Sequence, residues 1–432
     1  MQKVIFYIVI GIIVSLYYFP FQFIALPGIN TKMILAVLGG GFLVYNMVTS
    51  RSKGYVSKDF MVVSMYAIIV SLIALVAAVV NNTPDYTYAS YIVSMWVWLA
   101  AAYAVCEIVR NLHGKITMEL IINYLTAVCV CQCIIALLID SIPAVKAVVD
   151  TYIQNGQDFL SRSDVDRLYG IGASLDVAGI RFSIVLILIV HAILCFAKEH
   201  NSGVLLLYII SYFIVSVVGN MIARTTSVGM LLSLAYLLIF ISISPSNSLP
   251  RAKLLKCIAG VTLLVIPLIT YMFNKSSDFA EQFRFGFEGF FSIVEEKRWD
   301  VGTTNQLMDM IVFPSTIHTW IIGDGYMVNP KDIDPLYVGE ITGGFYKGTD
   351  IGYLRFIFYF GLLGLGAFVL YFFNLTRICN RRLYVHKPLF NIIFLLGLLV
   401  WLKVSTDIFL IYALFLLIDE PDADPILLGS NG

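Results

Sequence analysis

The stretch KGTDIGYLRFIFYFGLLGLGAFVLYFF (residues 347–373) decides the fold class. Between Ile351 and Phe373 it carries one charged residue, Arg355, among aliphatic, aromatic and glycine residues. About 20 such residues carry a helix across the roughly 30 Å of a bilayer's hydrocarbon core, so the stretch reads as a membrane-spanning helix. Asp350 and Arg355 then sit at its mouth, where an ionised group is costly and calls for a partner or a function.

The same reading repeats outward along the chain. Of 432 residues, 59% are apolar and 13% charged, with a mean hydropathy of +0.87; a soluble domain carries about 25% charged residues. Apolar windows at 4–26, 33–49, 60–80, 88–109, 118–139, 175–197, 204–222, 226–244, 257–273, 351–373, 388–404 and 407–418 predict an all-α, polytopic integral membrane protein of twelve spans. The whole of 1–432 is expected to form one transmembrane domain. The last two windows belong to one run interrupted by Lys403, Ser405, Thr406 and Asp407, so eleven spans fit as well. The N-terminal run lacks a small-residue cleavage site and is expected to remain as the first span.

Loop charges set the orientation. Alternate connections carry Arg51, Lys53, Lys58, Arg110, Lys115, Lys198, Arg251, Lys253, Lys256, Arg377, Arg381, Arg382 and Lys387, whereas the loops LPGINTK (26–32) and NNTPDYTY (81–88) share only Lys32. The rule places both termini in the cytoplasm and two long segments, 140–174 and 274–349, outside a cytoplasmic (inner) membrane. The second is too long to be an idle connection. Within it, DFAEQFRFGFEGFFSIVEEKRW (278–299) and TTNQLMDMIVFPSTIHTWI (303–321) have the spacing of amphipathic helices lying on the membrane. The formal net charge is zero, which offers no basic field for nucleic acid. The seven cysteines fall in spans and inner loops, so no disulfide framework is implied. Cys129, Cys131 and Cys133, two apart on a helix, diverge too far to share a metal ion.

Four arginines break the charge pattern. Arg167 and Arg181 flank the start of the sixth span, Arg224 lies at the turn between the seventh and eighth, and Arg355 lies early in the tenth. Each taken singly also fits a residue that snorkels to head groups or pairs locally, as Arg181 would with Asp176. Four at one depth point instead to a shared cavity for an anionic, amphiphilic ligand. Guanidinium forks hold phosphate oxygens in bidentate pairs and stay charged at any accessible pH. Tyr169, Trp299, Trp320, Tyr326, Tyr337, Tyr346 and Tyr353 populate the outer segments, where aromatic faces suit either sugar stacking or an interfacial belt.

Three stretches together resemble the O-antigen ligase and Wzy-type polymerase superfamily. RLYGIGASLDVAGIRFSIVLIL (167–188) resembles the family's arginine–glycine segment entering a middle span, and GNMIARTTSVGMLLSLAYLL (219–238) its helix break. WIIGDGYM (320–327) followed by TDIGYLRFIFYFGLLGLG (349–366) resembles the end of its large outer loop and the return into the membrane. The resemblance covers roughly residues 165–375. It implies a metal-independent, GT-C type glycosyltransferase without cofactor, acting on undecaprenyl-diphosphate-linked glycans as donor and acceptor at the extracytoplasmic side. It also admits a chain-length regulator as a partner, besides the lipid bilayer.

By position, Arg224 matches the family's helix-break arginine, and Asp350 with Gly352, Tyr353 and Leu354 its loop-return motif. Ligases carry a histidine where Asp350 stands and polymerases an aspartate, so the resemblance favours a polymerase of O-antigen, capsule or exopolysaccharide. The expected catalytic residues are Asp350 and Arg224; Arg167, Arg181, Arg355 and Tyr353 are expected to bind substrate. Ala223 departs from the usual serine, and the arginine expected ahead of WIIGDGY has no counterpart, leaving Arg284 and Arg298 as stand-ins. A ligase with a lipid A-core acceptor is the nearer alternative. A lipid-linked oligosaccharide flippase is the more distant one, since it calls for repeat symmetry and midplane charges. Asp350 suits either a general base for an acceptor hydroxyl or a helix N-cap.

Overall fold

The computed structural model describes residues 2–49, 57–154, 167–196, 202–243 and 251–419. Arg51, Lys53, Lys198 and residues 155–166 of the first long outer segment lie outside the described residues, as do the side chain of Arg251 and the end of the 226–244 window. The chain divides into two compact units, one of residues 1–35 with 105–300 and the other of 36–104 with 301–432. Two helices, Thr31–Val48 (α2) and Tyr91–His113 (α4), pass from one unit to the other.

In the first unit α1 (Gln2–Tyr18) is followed by α5 (Met118–Ser141), α6 (Pro143–Tyr152), α7 (Leu175–Phe196), α8 (Ser202–Ile222) and α9 (Thr226–Ile243). The unit continues with α10 (Arg251–Lys275), α11 (Ser277–Gly286) and α12 (Glu288–Glu296). Helix α7 is its axis: every residue from Ala178 to Leu194 is buried, and α5, α8 and α9 pack around it. The expected first span, 4–26, stops at Tyr18 because Pro20 disfavours helix just ahead of it. Thr31 Oγ1 takes the Leu16 carbonyl at 2.8 Å. The chain then forms the one strand pairing among the described residues, Gln22–Phe23 antiparallel to Ile153–Gln154, with Gln22 opposite Gln154.

The second unit holds α3 (Lys58–Val80), α13 (Gly302–Asp309), α14 (Ile317–Ile321), α15 (Pro330–Ile333), α16 (Gly352–Arg382), α17 (Lys387–Val400) and α18 (Phe409–Phe415). Helix α16, which contains the deciding stretch, is its axis and packs on α3, α14, α17 and α18. It is kinked at Phe360 and Gly361, where Gly361 adopts φ 66°. A Cβ there would lie 2.1 Å from the Ile321 carbonyl oxygen, so only glycine lets α14 approach.

Among the described residues, eight helices are long and apolar enough to cross a membrane, and three apolar helices, Val4–Tyr18, Thr226–Ser242 and Tyr384–Val400, are shorter. The twelfth expected span, 407–418, contains only the seven residues of α18, which rise about 10 Å. The polar interruption is the cause: residues 404–408 leave the helix, and Asp407 Oδ1 instead accepts from the Phe409 amide at 2.6 Å. The segment 274–349 is shared between the units, dividing at Asp300. Its two amphipathic stretches are broken into α11 and α12 at Phe287, and into α13 and α14 around Pro314.

Candidate functional site

The helix break between α8 and α9 is built by small and hydroxyl side chains. A Cβ on Gly179 would lie 2.9 Å from that of Ala223, and one on Gly229 would lie 2.2 Å from Ser183 Cα, so α7 lies nearly backbone-to-backbone against the break. Breaking a helix frees carbonyls that an apolar environment cannot solvate. Hydroxyls take them here: Ser183 Oγ donates to the Thr225 carbonyl at 3.0 Å, and Thr226 Oγ1 donates to that of Gly219 at 3.0 Å. Thr225 Oγ1 donates to Asp176. Three residues, 223–225, are thereby held outside regular helix, with Arg224 in the middle.

Arg224 and Arg167 share one aromatic ring. The Arg224 Cζ lies 4.1 Å and the Arg167 Cζ 4.8 Å from the centroid of Phe285, at the end of α11. Helix α11 is seated here because Gly286 approaches the Asn220 backbone, where a Cβ would be 3.0 Å from its carbonyl carbon, and because Gln282 Nε2 donates to Asp140 at 2.9 Å. Arg224 also pairs with Glu288, the first residue of α12. Burial, and then the like charge of Arg167 against the opposing pull of Asp176, brings the Arg224 guanidinium down to about 10, still fully protonated at neutral pH. Burial lowers Arg167 too, again opposed by Asp176. Two cations thus meet on one phenyl ring, with Glu288 paired to Arg224 and Asp176 within electrostatic reach of both.

Arg181 does not join them. Gly179 and Ser183 face the break, so Arg181, two residues from each, points the other way around α7. It is 6% exposed, its Cζ lies 5.6 Å from the Phe19 ring, and its carbonyl accepts from the Tyr18 hydroxyl at 3.0 Å. No ion pair with Asp176 forms; Asp176 receives Thr225 instead. Arg284 pairs with Glu295 at 2.9 Å, and Arg298 with Asp300 at 2.8 Å and Glu296 at 3.2 Å, so both are engaged in exposed local bridges.

In the second unit, Asp350 stands just ahead of α16. The N-cap is Ile351, whose side chain makes no capping bond, so the capping role open to Asp350 belongs to the next residue. The first turn is satisfied from outside, the Tyr353 amide donating to the Trp401 carbonyl at 3.0 Å. The Tyr353 hydroxyl donates to the Leu398 carbonyl at 2.9 Å, which turns the ring towards α17 and commits it to packing. Arg355 is 8% exposed, with its Cζ 3.3 Å from the centroid of Phe345. Asp350 and Asp85 are the acids within its electrostatic reach. The Nε atoms of both Arg355 and Arg181 are buried without a hydrogen-bond partner among the described residues.

The aromatic residues of the outer segments divide. Tyr326 and Tyr346 are buried with Leu354 and Phe358 in a cluster, their hydroxyls donating to Asp334 at 2.5 Å and Asp324 at 3.0 Å. Burial first, and then those carboxylates, pushes both phenols up, so they serve as donors in a packed loop rather than as sugar platforms. Tyr169 is likewise buried, on Asp150 at 2.7 Å. Trp299 keeps an exposed face.

The residues that sequence reasoning passed over are Asn81, Thr83 and Asp85. Asn81 Nδ2 donates to the Gly323 carbonyl at 2.9 Å and Thr83 Oγ1 to that of Gly325 at 2.9 Å, while Asp85 Oδ2 accepts from the Met327 amide at 2.7 Å. Together the three side chains grip alternate residues of GDGYM (323–327) and so fix the loop that returns towards α16. The signal was present as the polar spacing Asn-x-Thr-x-Asp in NNTPDYT. Comparison of the chain with protein-family models, curated proteins and solved structures finds no match.

Proposed function

We propose that this chain is a polysaccharide repeat-unit polymerase, a metal-independent membrane glycosyltransferase joining glycans carried on undecaprenyl diphosphate at the outer face of the cytoplasmic membrane. The observation that carries the reading is the pair Arg167 and Arg224, both set against Phe285 at a helix break within a bundle of apolar helices. Holding two guanidinium groups together costs energy through repulsion and desolvation, and a lipid-linked diphosphate repays it. Glu288 pairs with the Arg224 fork, at the place a phosphate oxygen would take.

In the proposed reaction a hydroxyl of the acceptor sugar attacks the anomeric carbon of the donor glycan. The new glycosidic bond forms as the bond from that carbon to the diphosphate oxygen breaks. The lipid diphosphate leaves with the electron pair, its growing charge neutralised by Arg224 and Arg167. The hydroxyl proton passes to a general base, a role for which the loop-return resemblance alone suggests Asp350. The choice of polymerase over ligase rests on the same aspartate.

Proteoliposomes containing the full chain, supplied with lipid-linked repeat units, should produce a ladder of chain lengths. Arg224→Lys keeps the charge but loses the planar fork. It should leave the yield of folded protein unchanged and remove most of the ladder. A lysine variant that polymerises normally would overturn the reading.

A further inference from the structure

We propose that the cleft at the C-terminal end of α16 binds the phosphoglycerol headgroup of an anionic membrane lipid. This stretch of the second unit is far from Asp350 along α16. From Gly361 to Arg382 the helix rises about 32 Å, enough to cross the hydrocarbon core, so its end emerges at the opposite membrane surface. The 3-10 turn Tyr384–His386 then reverses the chain into α17. Between the two helices lies a cleft of about 640 Å³, the size range of a small-ligand site.

Three cations, Arg377, Arg381 and Lys387, line it. Among the described residues only one is matched by a carboxylate, since Arg381 pairs with Asp59. The Lys387 Nζ lies 3.7 Å from the centroid of the Tyr384 ring, which fixes the ammonium at the mouth. Arg377 makes no ion pair among the described residues. The cleft is therefore a site of net positive charge, suited to a phosphodiester.

Two further features distinguish a lipid from a soluble anion. Asn380 Nδ2 donates to Asn391 Oδ1 at 2.8 Å, which leaves Asn380 Oδ1 buried in the wall with no hydrogen-bond partner. That acceptor suits a hydroxyl such as those of a glycerol headgroup and has no use for a bare phosphate oxygen. Below the cations, towards the middle of the span, Phe373 and Phe394 line the cleft with ring centroids 6.1 Å apart. The order of cation and hydroxyl acceptor at the surface, with phenyl rings deeper, matches a phospholipid's own order of headgroup and acyl chain. Cytoplasmic leaflets are rich in anionic lipids, and basic clusters at helix ends are attracted to them.

The test uses the full chain in neutral detergent, with phosphatidylglycerol, phosphatidylcholine or inorganic phosphate added. Bound lipid is counted on the folded fraction by native mass spectrometry, so a change in baseline stability does not alter the reading. The proposal expects phosphatidylglycerol to be retained by the wild type and by Lys115→Gln, an exposed lysine outside the cleft. Retention should fall roughly tenfold in Arg377→Gln/Lys387→Gln, the loss of about one charge-assisted hydrogen bond. Phosphatidylcholine should be retained weakly by all three proteins, and millimolar phosphate should not displace the lipid. Equal retention by the double variant, equal retention of phosphatidylcholine, or displacement by phosphate would each overturn it. None of these outcomes depends on glycosyl transfer.

Discussion

Glu288 and Asp350 define what single side chains contribute to the proposed chemistry. If Glu288 holds the Arg224 fork in place of a phosphate, Glu288→Gln removes a competitor. A partly exposed pair contributes up to about 1 kcal/mol, so the variant should melt close to wild type while its apparent KM for the lipid-linked donor falls. A raised KM would instead make Glu288 part of the binding surface. Asp350→Asn separates proton acceptance from size. Because the N-cap is Ile351, the variant should stay within about 0.5 kcal/mol of wild type in stability. Its transfer rate should drop by a factor of about 100 or more, the usual contribution of a general base. Normal ladders from the asparagine variant would remove Asp350 from the mechanism. At this scale the sequence showed which arginines are unusual but grouped four of them in one cavity, whereas Arg181 lies against Phe19 and away from the ring that Arg167 and Arg224 share. Arg167 and Arg224 meet through Phe285, on a helix more than fifty residues from either, and no local spacing encodes that.

Among the elements, eight of the expected spans were legible as helices long and apolar enough to cross, because apolar length is a direct consequence of bilayer thickness. The turn at 223–225 was also legible, as the gap between the apolar windows 204–222 and 226–244. The kink in α16 was not, since GLLGLG contains three glycines and nothing local says which one turns. Contacts decide. Gly361 has φ 66° and no room for a Cβ against Ile321, whereas a Cβ on Gly366 meets open space. Gly361→Ala should therefore cost more than about 3 kcal/mol, combining a glycine-only backbone region with a clash. Gly366→Ala should be neutral or stabilising by up to about 1 kcal/mol. Melting curves of the two purified variants check the contrast, and equal stability would show that the α14–α16 approach is looser than described.

For the molecule as a whole, the apolar composition was enough to place it in a membrane, and the loop charges predicted which way it faces. Ser315 is exposed in the segment expected outside. Ser315→Cys should therefore react with an impermeant thiol reagent in intact spheroplasts, and Gly114→Cys, in a loop expected inside, only after lysis. The reverse pattern would invert the topology. The division into two units was not legible, because each is assembled from separated pieces of chain and composition does not change where they join. That interleaving also sets a clock on biosynthesis. Asn81, Thr83 and Asp85 each find their backbone partners 242 residues downstream. At a synthesis rate of about 5–20 residues per second, those side chains wait on the order of 10–50 s for the segment that satisfies them. Throughout that interval the loop between α3 and α4 is a half-finished clasp, so a chain arrested before residue 328 holds three polar side chains whose backbone partners have not arrived.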